Sequence, residues 1–226
     1  MSSPHRFGPD LTAARLYDRP RILSGKTDTE IAVFKATESL LDQHPFAELS
    51  VAQIISVAGI SRGSFYKYFS SKLGVVAGLL VTVMDEMFEL ANPFLIRPQM
   101  TMTESLRASI ENAMTVWTGH RVLLRVVMEN WASSVELEAQ WMGAMSRYAA
   151  AIAAEIDQLR EAGRLPAGLP SERLATALVW STERCLYVAG RGAESATSID
   201  DNSPDELDQI EILVAIWAGT LNFTPT

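Results

Sequence analysis

Apolar positions along the chain recur at three- and four-residue intervals, and no stretch alternates with the two-residue period of a half-buried strand. The pattern predicts an all-α protein of about nine helices, roughly 27–43, 50–57, 61–68, 71–91, 102–118, 120–131, 134–162, 171–189 and 204–221. Start signals support these limits. In Thr27/Glu30, Ser50/Gln53, Thr101/Glu104, Ser133/Glu136 and Ser203/Glu206, a hydroxyl can take one free helical N–H while a Glu or Gln three residues on reaches back. Pro204 fits a first helical position, where its missing N–H costs nothing. Stop signals fall between the helices: His44-Pro45, Gly59, Asn92-Pro93, Gly119, Gly163 with Pro166, and Gly190 through Gly192. Residues 1–22 lack an apolar period and read as a mobile basic arm, and residues 191–203 read as a polar loop.

The first helices are short and closely connected. In the second, Val51, Ile54, Ile55 and Ala58 share one face, and Gly59 can leave the helix with φ > 0. Ile60 then points into the core, Ser61 caps a third helix, and Phe65, Tyr68 and Phe69 form its inward stripe. Two helices joined by a short turn containing Gly form a helix-turn-helix, whose second helix enters the major groove by its N-terminal end. Here that end is Ser61-Arg62-Gly63-Ser64, which is small, polar and basic.

The run from Leu49 to Lys72, and above all Ala58-Gly59-Ile60-Ser61 followed by Gly63-Ser64-Phe65-Tyr66, Tyr68-Phe69 and Ser71-Lys72, resembles the signature of the tetracycline-repressor (TetR) family of bacterial regulators. The preceding helix, with Ile31, Phe34, Ala36, Leu40 and Leu41, fits as well. Trp141, Thr182-Glu183-Arg184 and Ile216-Trp217 are similar, more narrowly, to the EthR-like mycobacterial repressors. On the residues' own chemistry, Arg62 can reach a guanine edge bidentately, Ser64 can bond either base type, and Gly63 permits close backbone approach. The resemblance implies that Tyr66 and Tyr68 contact phosphates or nearby bases, with charge added by Lys67. Lys72, at the start of the next helix, can clamp a phosphate, and Ser50 and Ser61 cap helices beside the DNA. Phe65 and Phe69 belong to the core, and Arg19 and Arg21 to a solvated arm.

Charge divides the chain in a way its average conceals. The 226 residues carry 19 Lys+Arg against 27 Asp+Glu, a net −8, which taken alone argues against nucleic-acid binding. Residues 1–72 hold 9 basic and 7 acidic residues, all four lysines among them, while residues 73–226 hold 10 basic and 20 acidic. The split at about residue 72 sets a mildly basic N-terminal part (the arm 1–22 with a head at 23–72) apart from an acidic body (73–226), which the resemblance makes the sensing and dimerising domain. Cys185 stands alone, excluding an internal disulfide, and His5, His44 and His120 have no ligand spacing, so neither metal nor cofactor is expected. The longest apolar run, Leu73 to Met84, is too short to span a bilayer, and the N-terminus lacks an apolar signal core, so a cytoplasmic protein with no membrane partner is expected.

The acidic part carries Trp117, Trp141, Trp180 and Trp217 inside helices and Trp131 at a helix end. The resemblance assigns it two tasks. One is an isologous homodimer through the last two helices, using Leu174, Leu178, Ser181 and Cys185 with Ile212 and Ile216. The other is a pocket for a small apolar ligand, at Leu106, Met142, Met145, Tyr148, Ile152, Val179, Thr182, Glu183, Tyr187 and Trp217. Taken singly, each Met or aromatic also reads as plain core, and Glu183 and Arg184 as a mutual ion pair. The leading expectation is therefore a homodimeric, ligand-responsive repressor that binds a palindromic operator in double-stranded DNA. The alternatives are a small-molecule carrier or sensor without DNA binding, and a helical-bundle enzyme. The latter lacks a Glu-x-x-His pair, a phosphate-cradling glycine loop or a nucleophile set.

Overall fold

The structure, a computed structural model, describes residues 26–91, 94, 96–195 and 206–223. The expected N-terminal arm, the Ser203/Glu206 cap with Pro204, and most of the expected polar loop lie outside them. Among the described residues there are nine α-helices and no strand. They are α1 (Asp28–Leu41), α2 (Val51–Ala58), α3 (Arg62–Tyr68), α4 (Lys72–Ala91), α5 (Met102–Gly119), α6 (Arg121–Asn130), α7 (Val135–Glu161), α8 (Ser171–Ser195) and α9 (Glu206–Leu221). Short 3₁₀ turns at Phe46–Glu48 and Trp131–Ser133 were not expected from periodicity; three residues are too few to show one.

Local chemistry sets most boundaries. Thr27, Ser50 and Thr101 each accept the N–H three residues on, while Glu30, Gln53 and Glu104 close the reciprocal bond. Gly59 ends α2 at φ +66°, a left-handed conformation that a side chain at this position would strain. Two expectations are corrected. α7 is capped by Ser134, whose hydroxyl accepts the Leu137 N–H, while the Ser133 hydroxyl donates to the Asn130 carbonyl at 2.6 Å. The helix 171–189 continues to Ser195, through the glycines read as its stop. Each interior glycine costs about 1 kcal/mol of helix propensity, a penalty that a long packed helix can absorb.

The α1–α3 unit closes around aromatic rings. Phe65 is fully buried, Phe69 lies 5.7 Å from it, and Phe34 meets Phe69 edge-on at 5.6 Å between centroids. Ile54 of α2 is buried among them, with Val51, Ile55, Ala58 and Ile60 packed at the margin. α1 crosses α4 closely at Gly78, where a β-carbon would meet Phe34 Cζ at 2.9 Å. Beside this crossing Ile31, Phe34, Lys35, Glu38, Leu79, Thr82, Val83 and His120 line a mainly apolar cavity of about 180 Å³. α4 carries the α1–α3 unit and packs its other faces on α5, α6 and α7. α7 and α8 form the most extensive helix pair, and α9 is laid on α5 and α8.

A candidate nucleic-acid interface and a candidate effector core

α3 presents two chemically different faces. Inward, Phe65 fixes the helix; its complete burial contributes about 2–3 kcal/mol. Outward lie Ser61, Arg62, Gly63, Tyr66 and Lys67, all exposed. The Arg62 guanidinium stands 5.5 Å from the Tyr66 ring centroid, and Tyr66 is in turn held edge-on by Phe65 at 5.3 Å. A β-carbon at Gly63 would meet only Ser61 Oγ, at 3.8 Å, so nothing inside the protein demands glycine there. Ser61 caps α3 by accepting the Ser64 N–H at 3.0 Å, and the two hydroxyls share a 2.9 Å bond, which keeps half-buried Ser64 turned toward the cap. Tyr68 is half-buried against the core, and its ring lies 5.5 Å from Lys67 Nζ. Ser50 is exposed but engaged with Gln53, whose Oε1 accepts from its N–H at 2.8 Å.

Lys72 is not a free cation. Its ammonium donates to the carbonyls of Phe46 and Leu49 at 2.8 Å each and of Ala47 at 3.3 Å, and lies 4.4 Å from the Phe46 ring centroid. All three N–H bonds are directed into the turn before α2. This ammonium, expected to clamp a phosphate, ties the start of α4 to the lead-in of the helix-turn-helix.

In the helical body the structure gathers most of the expected ligand residues and separates some. Leu106, Met145, Tyr148, Ile152, Val179 and Trp217 are buried. Thr182 is half-buried and accepts the Trp217 indole N–H at 2.9 Å. Tyr187 is half-buried, with the Arg184 guanidinium 5.2 Å from its ring centroid. Met142 is a correction: it is 41% exposed on the outer face of α7, one step of about 100° from buried Trp141. Glu183 is 4% exposed, while neighbouring Arg184 points outward, its Nη2 3.9 Å from Glu183 Oε2. Burial lifts the Glu183 carboxyl above the usual carboxylate range, against a smaller opposing pull from Arg184.

Rings link four elements here. Phe88 of α4 meets Tyr148 of α7 at 5.3 Å, Tyr148 meets Phe94 at 6.1 Å, and Phe94 stacks on Trp217 of α9 at 6.3 Å. The Tyr148 hydroxyl donates to the Met84 carbonyl at 3.1 Å, and burial raises its pKa. On the expected dimer face, Leu174 and Leu178 are corrections too. They are buried in their own chain and offer no surface to a partner. Ser181 is exposed and Cys185 half-buried, with burial raising the thiol pKa. Ile212 and Ile216 are 45% and 38% exposed, beside exposed Leu207, and Val188 of α8 is 60% exposed.

Comparison with known proteins places this architecture. Residues 33–79 match the model for bacterial regulatory proteins of the tetR family, and residues 106–221 match that for the C-terminal domain of the transcriptional regulator EthR. The chain is 32% identical over 195 residues to the HTH-type transcriptional regulator EthR of Mycobacterium tuberculosis, covering 86% of this chain and 87% of that protein.

The chain belongs to the TetR family, among its EthR-like transcriptional regulators.

The fold match extends to more distant members. Salmonella enterica GusR superposes with a TM-score of 0.68 at 16% identity, covering 88% of this chain and 98% of that one. The transcriptional regulator FadR of Bacillus subtilis, solved in complex with stearoyl-CoA, superposes at 0.64 and 14%, covering 86% and 98%.

Several residues of this EthR-like regulator have no signal in its sequence. Phe94, in a linker, is buried between Tyr148 and Trp217, and its N–H donates to both oxygens of buried Glu155 at 3.0 and 3.2 Å. His120, at the α5–α6 corner, meets Glu86 of α4 at 3.3 Å. Ser105 is wholly buried on α5. Among the described residues no helix is long and apolar enough to cross a membrane, and no cluster of His, Cys, Asp or Glu could hold a metal ion.

Proposed function

We propose that this regulator is a cytoplasmic homodimeric repressor, whose head at 23–72 binds a palindromic operator and whose body at 73–226 binds a small, largely apolar ligand that releases the DNA. The observation carrying the reading is the two-sided α3: a ring-locked inner face and an exposed outer face of Arg62, Gly63, Tyr66 and Lys67, whose contacts with the protein are ring approaches of Arg62 to Tyr66, Tyr66 to Phe65 and Lys67 to Tyr68. Arg62 reads a base edge, while Tyr66, Lys67 and the helix cap at Ser61 meet the backbone. Ser50, Ser64 and Tyr68 position that surface, and Lys72 acts through the turn it holds.

Two heads must reach successive major grooves, about 34 Å apart, which a dimer supplies. The exposed apolar positions Val188, Leu207, Ile212 and Ile216, with small, exposed Ala177, Ser181 and Gly219 on the same two helices, suit an isologous four-helix contact. Ligand release needs only a difference in affinity between two head spacings. The Bacillus subtilis relative with bound stearoyl-CoA supports a body of this fold as a ligand container.

The test is a titration of the protein on DNA from its own upstream region. Arg62→Ala is expected to lose about 1–3 kcal/mol and to relax discrimination at one base pair, and Tyr66→Phe to weaken binding across sequences alike. Wild-type affinity retained in both variants would remove α3 from the interface.

A further inference from the structure

We propose that the effector is an apolar organic amine, its ammonium received by Glu183 with help from the Ser105 hydroxyl. The inference rests on the reading that the body holds an effector, and it names the chemical class. Among the described residues, the buried side-chain oxygens without a hydrogen-bond partner are Ser105 Oγ, Glu183 Oε1 and Glu183 Oε2. They sit on α5 and α8, which pack against each other. Buried polar atoms are nearly always paired, because water must be given up and nothing replaces it otherwise.

Glu155 shows that this fold pairs a buried acid when it has no other use for it. Both its oxygens accept the Phe94 N–H. Glu183 is buried more deeply, and both its oxygens are left open. Arg184 does not fill the gap. At 3.9 Å it lies beyond hydrogen-bond distance, with a side chain 59% exposed and directed over Tyr187.

The chemistry of these oxygens selects a partner for them. A carboxylate only accepts, so the partner must donate, and a cation also cancels the buried charge that a neutral donor would leave. Ser105 offers an oxygen that can accept one further N–H. Val179, Leu186 and Leu106 on the same helices are buried and apolar, and Trp180, one turn before Glu183, adds an aromatic ring of the kind that favours cations. An anionic head group would meet like charge. The net −10 of residues 73–226 biases the whole body toward cations.

A head-group series with one tail tests this: dodecylamine, 1-dodecanol and dodecanoate below their micellar concentrations, followed by tryptophan fluorescence at pH 7 without DNA. Wild type is expected to bind the amine about tenfold more tightly than the alcohol, with dodecanoate weakest. Glu183→Gln, close in shape, is expected to erase the preference for amine over alcohol, and Ser105→Ala to reduce it about threefold. A purely structural Glu183 would alter melting but leave the amine-to-alcohol ratio intact. An unchanged ratio in Glu183→Gln, or equal binding of all three heads by wild type, overturns the amine assignment and leaves the effector reading standing. Failure of every probe to bind the wild-type body overturns both.

Discussion

Lys72 separates two ways in which one lysine can matter to DNA binding. In Lys72→Met the apolar stem remains and the ammonium is lost. Three charged-donor bonds disappear, two at 2.8 Å and one at 3.3 Å, together with the approach to the Phe46 ring. Charge-assisted bonds contribute about 1.5–3 kcal/mol each when fully shielded, but this site is half-buried, and about 1 kcal/mol each is the better figure. The expected loss is about 2–3 kcal/mol, a fall of roughly 4–12 °C in melting temperature for a chain of this size. Because the lost carbonyl partners lie in the Phe46–Glu48 turn and at Leu49, α2 should dock less firmly and operator affinity should drop. The melt is read by circular dichroism and the affinity by fluorescence anisotropy over a series of salt concentrations. An ammonium that works inside the protein leaves the slope of log affinity against log salt unchanged while lowering the whole line. An unaltered melt with a slope shallower by about 0.9, the signature of one lost phosphate contact, would refute the structural role.

Two other perturbations probe the body. Ile212→Glu with Ile216→Glu places carboxylates on the exposed stripe of α9, and sedimentation should show the dimer weakened at least about tenfold with the monomer's helicity unchanged; a dimer of wild-type affinity would move the interface elsewhere. Glu183→Gln should also raise stability at neutral pH. The folded state holds the Glu183 carboxyl above its ordinary value of 4.5, so wild type loses stability as pH rises from there toward the folded pKa, while the amide does not titrate. Denaturant melts of the two proteins should therefore coincide near pH 4 and diverge toward pH 7, and a gap of constant size would show that Glu183 ionises as freely folded as unfolded.

What the sequence reveals depends on how far apart the interacting residues lie along it. The helix-turn-helix was legible because its determinants fall within a few residues of each other: Ser50 with Gln53, Ser61 with Ser64, and Gly59 between two caps. The pairs that shape the candidate sites span 26 residues for Lys72 and Phe46, 35 for Trp217 and Thr182, and 61 for Phe94 and Glu155, and no local pattern encodes them. α8 failed for another reason. It carries two adjacent apolar stripes, one through Leu174 and Leu178 and one through Ala175, Val179 and Leu186, and all five side chains are buried in the same chain. Periodicity says that a helix has an apolar face but not which neighbour covers it, and with two such stripes it is silent on where the solvent begins. Met142 shows the smallest version of the problem, since one residue of phase on α7 is the whole distance between core and surface. Glu183 shows the opposite case. A lone acid among apolar residues is visible in sequence as an anomaly, but only the three-dimensional neighbours decide whether its oxygens are hydrogen-bonded, as at Glu155, or left with no more than a long ion pair, as at Glu183 with Arg184. The residue that local pattern explains least is thus the one on which the proposed ligand class rests.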